Sequence, residues 1–111
     1  MEIKSWLEDD TLTVCITGEI DHHSAAGWRT SIDREAVCAH PAVLVMDFSG
    51  VTFMDSSGIG LVMGRYRLVR SWEGELLLTG LSDRLRKMMT LAGLDRLPGG
   101  GKKGEKKYET C

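Results

Sequence analysis

The chain has 111 residues and a mass of 12.3 kDa, the size of a single domain. Apolar residues make up 42 % and charged residues 27 %, a globular composition that excludes a disordered or fibrous chain. The formal charge of −2 argues against a dedicated nucleic-acid binder, and no apolar run is long enough to span a membrane.

The first residues carry acids and no basic leader, so no signal peptide is expected and the chain reads as cytoplasmic. Cys15, Cys38 and Cys111 are odd in number and widely spaced, which fits neither a disulfide framework nor a structural zinc. Cys15 and Cys38 read as small buried hydrophobes.

Glu2 to Leu7 is expected to form a strand, and Glu8, Asp9 and Asp10 a turn. Thr11 to Thr17 alternates Leu12, Val14 and Ile16 with Thr13, Cys15 and Thr17, the pattern of a half-buried strand, and Gly18 ends it. The two strands form an antiparallel hairpin. A helix is expected from Ser24 to Cys38, with Ala25, Trp28, Ile32 and Ala36 on its apolar face, Asp33 on its wet face, and Gly27 placed for close approach to a strand. Val43 to Met46 reads as a short central parallel strand ending at Asp47, which makes a right-handed βαβ unit.

The next helix is expected from Ser57 to about Ser71, with Ile59, Val62, Tyr66 and Val69 as its stripe, widened by Leu61, Leu68 and Trp72, and Arg65, Arg67 and Arg70 on a solvated face. Glu75 to Thr79 follows as a strand. Ser82 caps a helix over Asp83 to Ala92, Gly93 closes it, and Leu94 to Leu97 form a very short last strand. Residues 1–98 are therefore a small α/β domain: a mostly parallel sheet with an antiparallel edge hairpin and helices packed against it. The tail from Gly99, GGGKKGEKKYETC, has nothing with which to bury a face and is expected to be disordered.

The informative stretch is Asp55-Ser56-Ser57-Gly58-Ile59-Gly60, which opens a helix. One of the two serines is expected to be the N-cap. A phosphoryl group on either hydroxyl would face the free N–H groups and positive end of that helix. The glycines do not form a nucleotide-binding fingerprint, because neither GxGxxG nor GxxxxGK[ST] occurs, and there is no nucleophile elbow.

VTFMDSSGIGLVMGRY, TGEIDHHSA and LSDRLRKMMTLAGL together resemble the STAS-domain family, and within it the anti-anti-sigma factors of sporulating bacteria. The likeness covers residues from about 3 to 97. It implies a STAS-like fold and an anti-sigma factor antagonist that binds a serine-kinase anti-sigma factor and so releases the sigma factor. It further implies that the kinase spends ATP to phosphorylate the first serine of the DSSG segment, here Ser56, that the phosphorylated form lets go, and that a metal-dependent serine phosphatase restores it. The family's acidic residues at this surface match Asp21 and Asp55, and its glycines match Gly58 and Gly60. Family members usually continue with a full last strand and an apolar C-terminal helix, where this chain has GLDRLPGGGKKGEKKYETC.

The partner-facing set is expected to be Asp21, His22, His23, Asp55, Ser57, Gly58, Ile59 and Gly60. No cofactor, metal, membrane or nucleic acid is expected, and the free chain is expected to be a monomer. Asp21 also reads as a helix cap, and Asp55 as a residue that holds the turn. His22 and His23 are adjacent, so their side chains are expected to diverge rather than share a metal. The alternatives are a STAS regulator of a stress-response or other phosphorelay kinase, and a small hydrolase. For the hydrolase, His22 or His23 could approach Ser56 in space as a base, but nothing in the spacing requires it.

Overall fold

The computed structural model describes residues 2–94. Its elements are β1 (Glu2–Glu8), β2 (Thr11–Ile20), α1 (His22–Ala39), β3 (Val43–Met54), α2 (Ser56–Arg70), β4 (Glu75–Thr79) and α3 (Asp83–Leu91). The strands form one sheet in the order β1-β2-β3-β4, with β1 antiparallel to β2 and the rest parallel. This is the expected α/β fold with its edge hairpin. The tail from Gly99, and residues 95–97 of the expected last strand, lie outside the described residues. Leu94 is buried in the core.

The hairpin turns on Asp9 and Asp10, both at positive φ (52° and 67°), between the paired Glu8 and Thr11. Two left-handed residues give a two-residue loop the twist that the flanking strands need. Leu12, Val14 and Ile16 of β2, Leu44, Met46 and Phe48 of β3, and Leu76 and Leu78 of β4 share one buried cluster. It is covered by Trp28, Ile32 and Ala36 of α1, Leu61, Val62 and Val69 of α2, and Leu85 and Met89 of α3. Among the described residues no helix is long and apolar enough to cross a membrane.

Two strands run further than expected. β2 does not stop at Gly18: φ of 106° there accompanies a bulge, and pairing resumes at Glu19 and Ile20. β3 passes through Asp47 to Met54 instead of ending at Met46. Asp47 is tolerated inside the strand, only 1 % exposed, because its carboxylate accepts bonds from the Ser49 N–H and hydroxyl and from the Thr79 hydroxyl. The glycine at position 50 fits where β3 crosses β2, since a Cβ there would sit 3.0 Å from Thr17 Oγ1 and 3.2 Å from the Ile16 carbonyl oxygen.

Gly80 is required by both conformation and space. Its φ is +69°, and a methyl group would run into Asp47 Oδ1 and the backbone nitrogen of Ser49. Gly80→Ala is therefore expected to destabilise the fold by about 2 kcal/mol, seen as a melting midpoint lowered by roughly 8 °C or more. An unchanged midpoint would contradict this account of the β4 exit.

Further departures come from the helices. The buried stripe of α2 is Leu61, Val62, Arg65 and Val69, with Ile59 and Tyr66 only half-buried at its margins. Cys38 is exposed, not buried, in the last turn of α1. A Cβ at Gly27 would meet nothing within 4 Å, so that glycine brings no strand close. His40 caps α1 at φ 44° and stacks on Trp72 with centroids 4.3 Å apart, while Trp72 Nε1 donates to the Pro41 carbonyl at 2.9 Å.

Candidate functional site

β3 continues from Phe48 to Met54 past its last pairing with β4 at Asp47, so only β2 and β3 reach the far end of the sheet. Their last pair is Ile20 with Met54, and the Asp55 amide donates to the Ile20 carbonyl at 3.1 Å. Each strand then turns into a helix through a single aspartate. The N-terminal ends of α1 and α2 thus lie side by side at the C-terminal ends of parallel strands, where open α/β sheets present their sites.

Asp21 is the N-cap of α1. Its Oδ1 accepts from the amides of Ser24 (2.9 Å) and His23 (3.0 Å), and the Ser24 hydroxyl closes a capping box on the Asp21 amide at 3.0 Å. The bond from the Ser24 amide is the main reason the Asp21 carboxyl lies below its ordinary value of 3.8. A carboxyl depressed in the fold stabilises it fully above the ordinary range and loses that contribution as pH falls through the folded value. Asp21→Asn keeps an acceptor but no charge. The wild type is therefore expected to melt above Asp21→Asn at about pH 6, with the gap closing as the pH falls below the ordinary carboxylate range. Paired melts across that range check it, and a constant gap would contradict it.

Asp55, and neither serine, is the N-cap of α2; its Oδ1 accepts from the Ser57 amide at 2.8 Å. A carboxylate one residue earlier takes the role expected of a hydroxyl, and both serines therefore lie inside the first helical turn. Ser56 is the first helical residue and is exposed, whereas Ser57 is half-buried. Gly58 is buried, and a Cβ there would overlap Met54 Cγ and Sδ. Ile59 is half-buried, and Gly60 is exposed with open space where its side chain would be.

His22 and His23 are both exposed, and their rings meet edge to face at 5.7 Å and 67° rather than diverging. Among the described residues no group of three or more His, Cys, Asp or Glu side chains is placed to hold a metal ion. Between the two helix starts runs a groove of about 360 Å³ lined by His22, Ala25, Ala26, Arg29, Ser57, Gly60 and Leu61. A neighbouring depression of about 420 Å³ is lined by Gly18, Glu19, Asp21, His23 and Ser24.

Three features were not expected from the sequence. Arg29, Ala25 and Ala26 line the groove. Phe53 is 41 % exposed and pairs with exposed Glu19 just before the Asp55 turn. Arg65, expected in solvent, is 5 % exposed, with its Nε 2.7 Å from Asp33 Oδ1 on α1. Burial pulls the Arg65 guanidinium below its ordinary value, and Asp33 opposes that shift.

The STAS domain family matches residues 6–109. An anti-sigma F factor antagonist of Lysinibacillus sphaericus is 33 % identical over 85 residues, covering 77 % of this chain and 73 % of that protein. An anti-sigma-B factor antagonist of Listeria monocytogenes is 34 % identical over 94 residues, covering 85 % of this chain and 81 % of that protein. Among solved structures, the anti-sigma factor antagonist SpoIIAA in its unphosphorylated form superimposes with a TM-score of 0.77 at 27 % identity, covering 92 % of this chain and 90 % of that one. The phosphorylated form of the Bacillus cell fate determinant SpoIIAA gives a TM-score of 0.71 at 27 % identity, with 92 % and 93 % covered. The chain belongs to the STAS-domain family, in its branch of anti-sigma factor antagonists.

Proposed function

We propose that this antagonist is switched at Ser56. The unmodified chain binds a serine-kinase anti-sigma factor through the paired helix starts and thereby frees the sigma factor. The kinase transfers the terminal phosphoryl group of ATP to the Ser56 hydroxyl, leaving ADP, and the modified chain is released. A metal-dependent serine phosphatase hydrolyses the phosphoserine and resets the switch. The chain is a substrate and a binding partner, not an enzyme, and acts as a monomer in the cytoplasm.

The observation that carries this reading is the difference between two adjacent serines. Ser56 is exposed on the first helical residue, while Ser57 is half-buried with its amide tied to Asp55. A kinase active site must enclose the hydroxyl it modifies, and only the first serine stands clear of its own domain. Asp21, His22, His23, Asp55, Ser57, Ile59 and Gly60 form the surrounding contact surface, and buried Gly58 lets α2 start close against Met54.

The matches to anti-sigma F and anti-sigma-B antagonists at similar identity favour a second reading of the partner, the kinase of a stress-response system. Incubation with a kinase anti-sigma factor of either type and ATP, followed by peptide mapping, tests both. Phosphate on Ser56 is expected with one of them. Phosphate with neither, or on another residue, would overturn the proposal.

A further inference from the structure

We infer that the Asp33–Arg65 ion pair sets the spacing of α1 and α2, and hence the width of the groove at their N-terminal ends, so that Arg65 is a positioning residue for phosphorylation of Ser56. The bearing on Ser56 rests on the reading above; the spacing does not. Near the site the two helices face each other across Ala25, Ala26 and Gly60, residues too small to interlock. The sheet fixes the strand ends of both helices through the Asp55 to Ile20 hydrogen bond, but it leaves the angle between the helices to what joins them further along. There the two helices share the buried cluster beneath them, and the pair joins them above it. Arg65 Nε meets Asp33 Oδ1 at 2.7 Å, and Arg65 Nη1 reaches back to the Leu61 carbonyl at 3.4 Å.

Neither Asp33 nor Arg65 lines the groove, but each lies one helical turn from a residue that does. Leu61 is one of its walls, and Arg29, one turn before Asp33 on α1, is another. A charged pair in this position adds little net stability, because desolvation offsets most of the attraction; Nε and Oδ1 meet charge to charge at 2.7 Å without an aligned hydrogen bond, so what the pair restricts is the distance between the helices. Leucine or methionine at position 65 would fill the same stripe without fixing the two helices to each other.

The test compares the full chain with Arg65→Met, Arg65→Lys and Asp33→Asn at a temperature where melts show each to be folded. Asp33→Asn guards against a misfolded Arg65 variant, since it changes no volume at a side chain that is 35 % exposed and removes only the charge. Two readouts are taken: amide chemical shifts of the free protein, and kcat and KM for phosphorylation by an ATP-loaded serine-kinase anti-sigma factor. Arg65→Met and Asp33→Asn are expected to shift the amides of residues 22–26 and 57–61. They are expected to raise KM about tenfold with the phosphate still on Ser56, and Arg65→Lys to recover part of the loss. A lower melting midpoint with unchanged groove amides and unchanged KM would make the pair structural only and overturn the inference. If the wild type itself takes no phosphate on Ser56, the kinase reading fails, and the amide shifts alone still decide whether the pair sets the groove.

Discussion

Ser56→Ala is expected to take up no phosphate from the kinase, while Ser57→Ala remains a substrate. Both variants should fold, because alanine is the best helix former and neither serine caps α2; Asp55 does. A loss of phosphorylation in Ser56→Ala therefore reports the missing nucleophile and not a damaged helix. Ser57 lies in the same turn, but half-buried and behind an amide held at 2.8 Å by Asp55, so bringing its hydroxyl to a kinase would require the turn to open. Ser57→Ala loses a hydroxyl at the groove and is expected to change KM by no more than a few-fold, as removal of one ordinary hydrogen bond does. Mass spectrometry of both variants after incubation with kinase and ATP checks this. Phosphate retained in Ser56→Ala would reverse the assignment.

Ser56→Asp is expected to keep the fold and to bind the ADP-loaded kinase at least about tenfold more weakly than the unmodified chain. At the first position of α2 an added negative charge meets the positive end of the helix dipole, worth about 0.3–1 kcal/mol at an exposed site. The neighbouring Asp55 carboxylate works against that gain, so the melting midpoint should move little. Weaker binding is therefore expected to arise at the interface, where a charge would replace a neutral hydroxyl and, on the proposed reading, face the nucleotide bound to the kinase. A phosphoserine carries about 1.5 to 2 negative charges against one for aspartate, so the variant should reproduce the release only in part. Added salt should narrow the difference between variant and wild type if the effect is electrostatic. Full affinity would remove that account, and amide shifts spread over the whole sheet would indicate an internal conformational switch.

Much of the fold is legible in the residues. Alternation in Thr11 to Thr17, the Asp9-Asp10 turn and the spacing of Trp28, Ile32 and Ala36 specify the hairpin and the first helix. The full length of β3 is not legible, because Asp47, Ser49 and Gly50 are loop-forming types. They become strand residues only once Thr79 on β4 and Thr17 on β2 are beside them. Residue type alone puts Arg65 in solvent, although Leu61, Arg65 and Val69 share one face at intervals of four. What draws it inward is Asp33 on a different helix, a partner no local pattern reveals.

The site divides in the same way. Asp21 as a cap is readable from its position ahead of an apolar helical stripe, and the structure bears it out. The residue types suggest a serine cap for α2, but the cap is Asp55, because a carboxylate ahead of two serines reaches the Ser57 amide first. The groove wall formed by Ala25, Ala26 and Arg29 has no sequence signature, since it exists only where two helices distant in sequence lie together.

The most direct measurement is a titration of the ADP-loaded kinase anti-sigma factor with two forms of the wild-type chain, one unmodified and one carrying phosphate mapped to Ser56. The account predicts tight binding of the unmodified form and a loss of about tenfold or more in the phosphorylated form, with closely similar amide spectra for the two free proteins. Equal affinity of the two forms would contradict it.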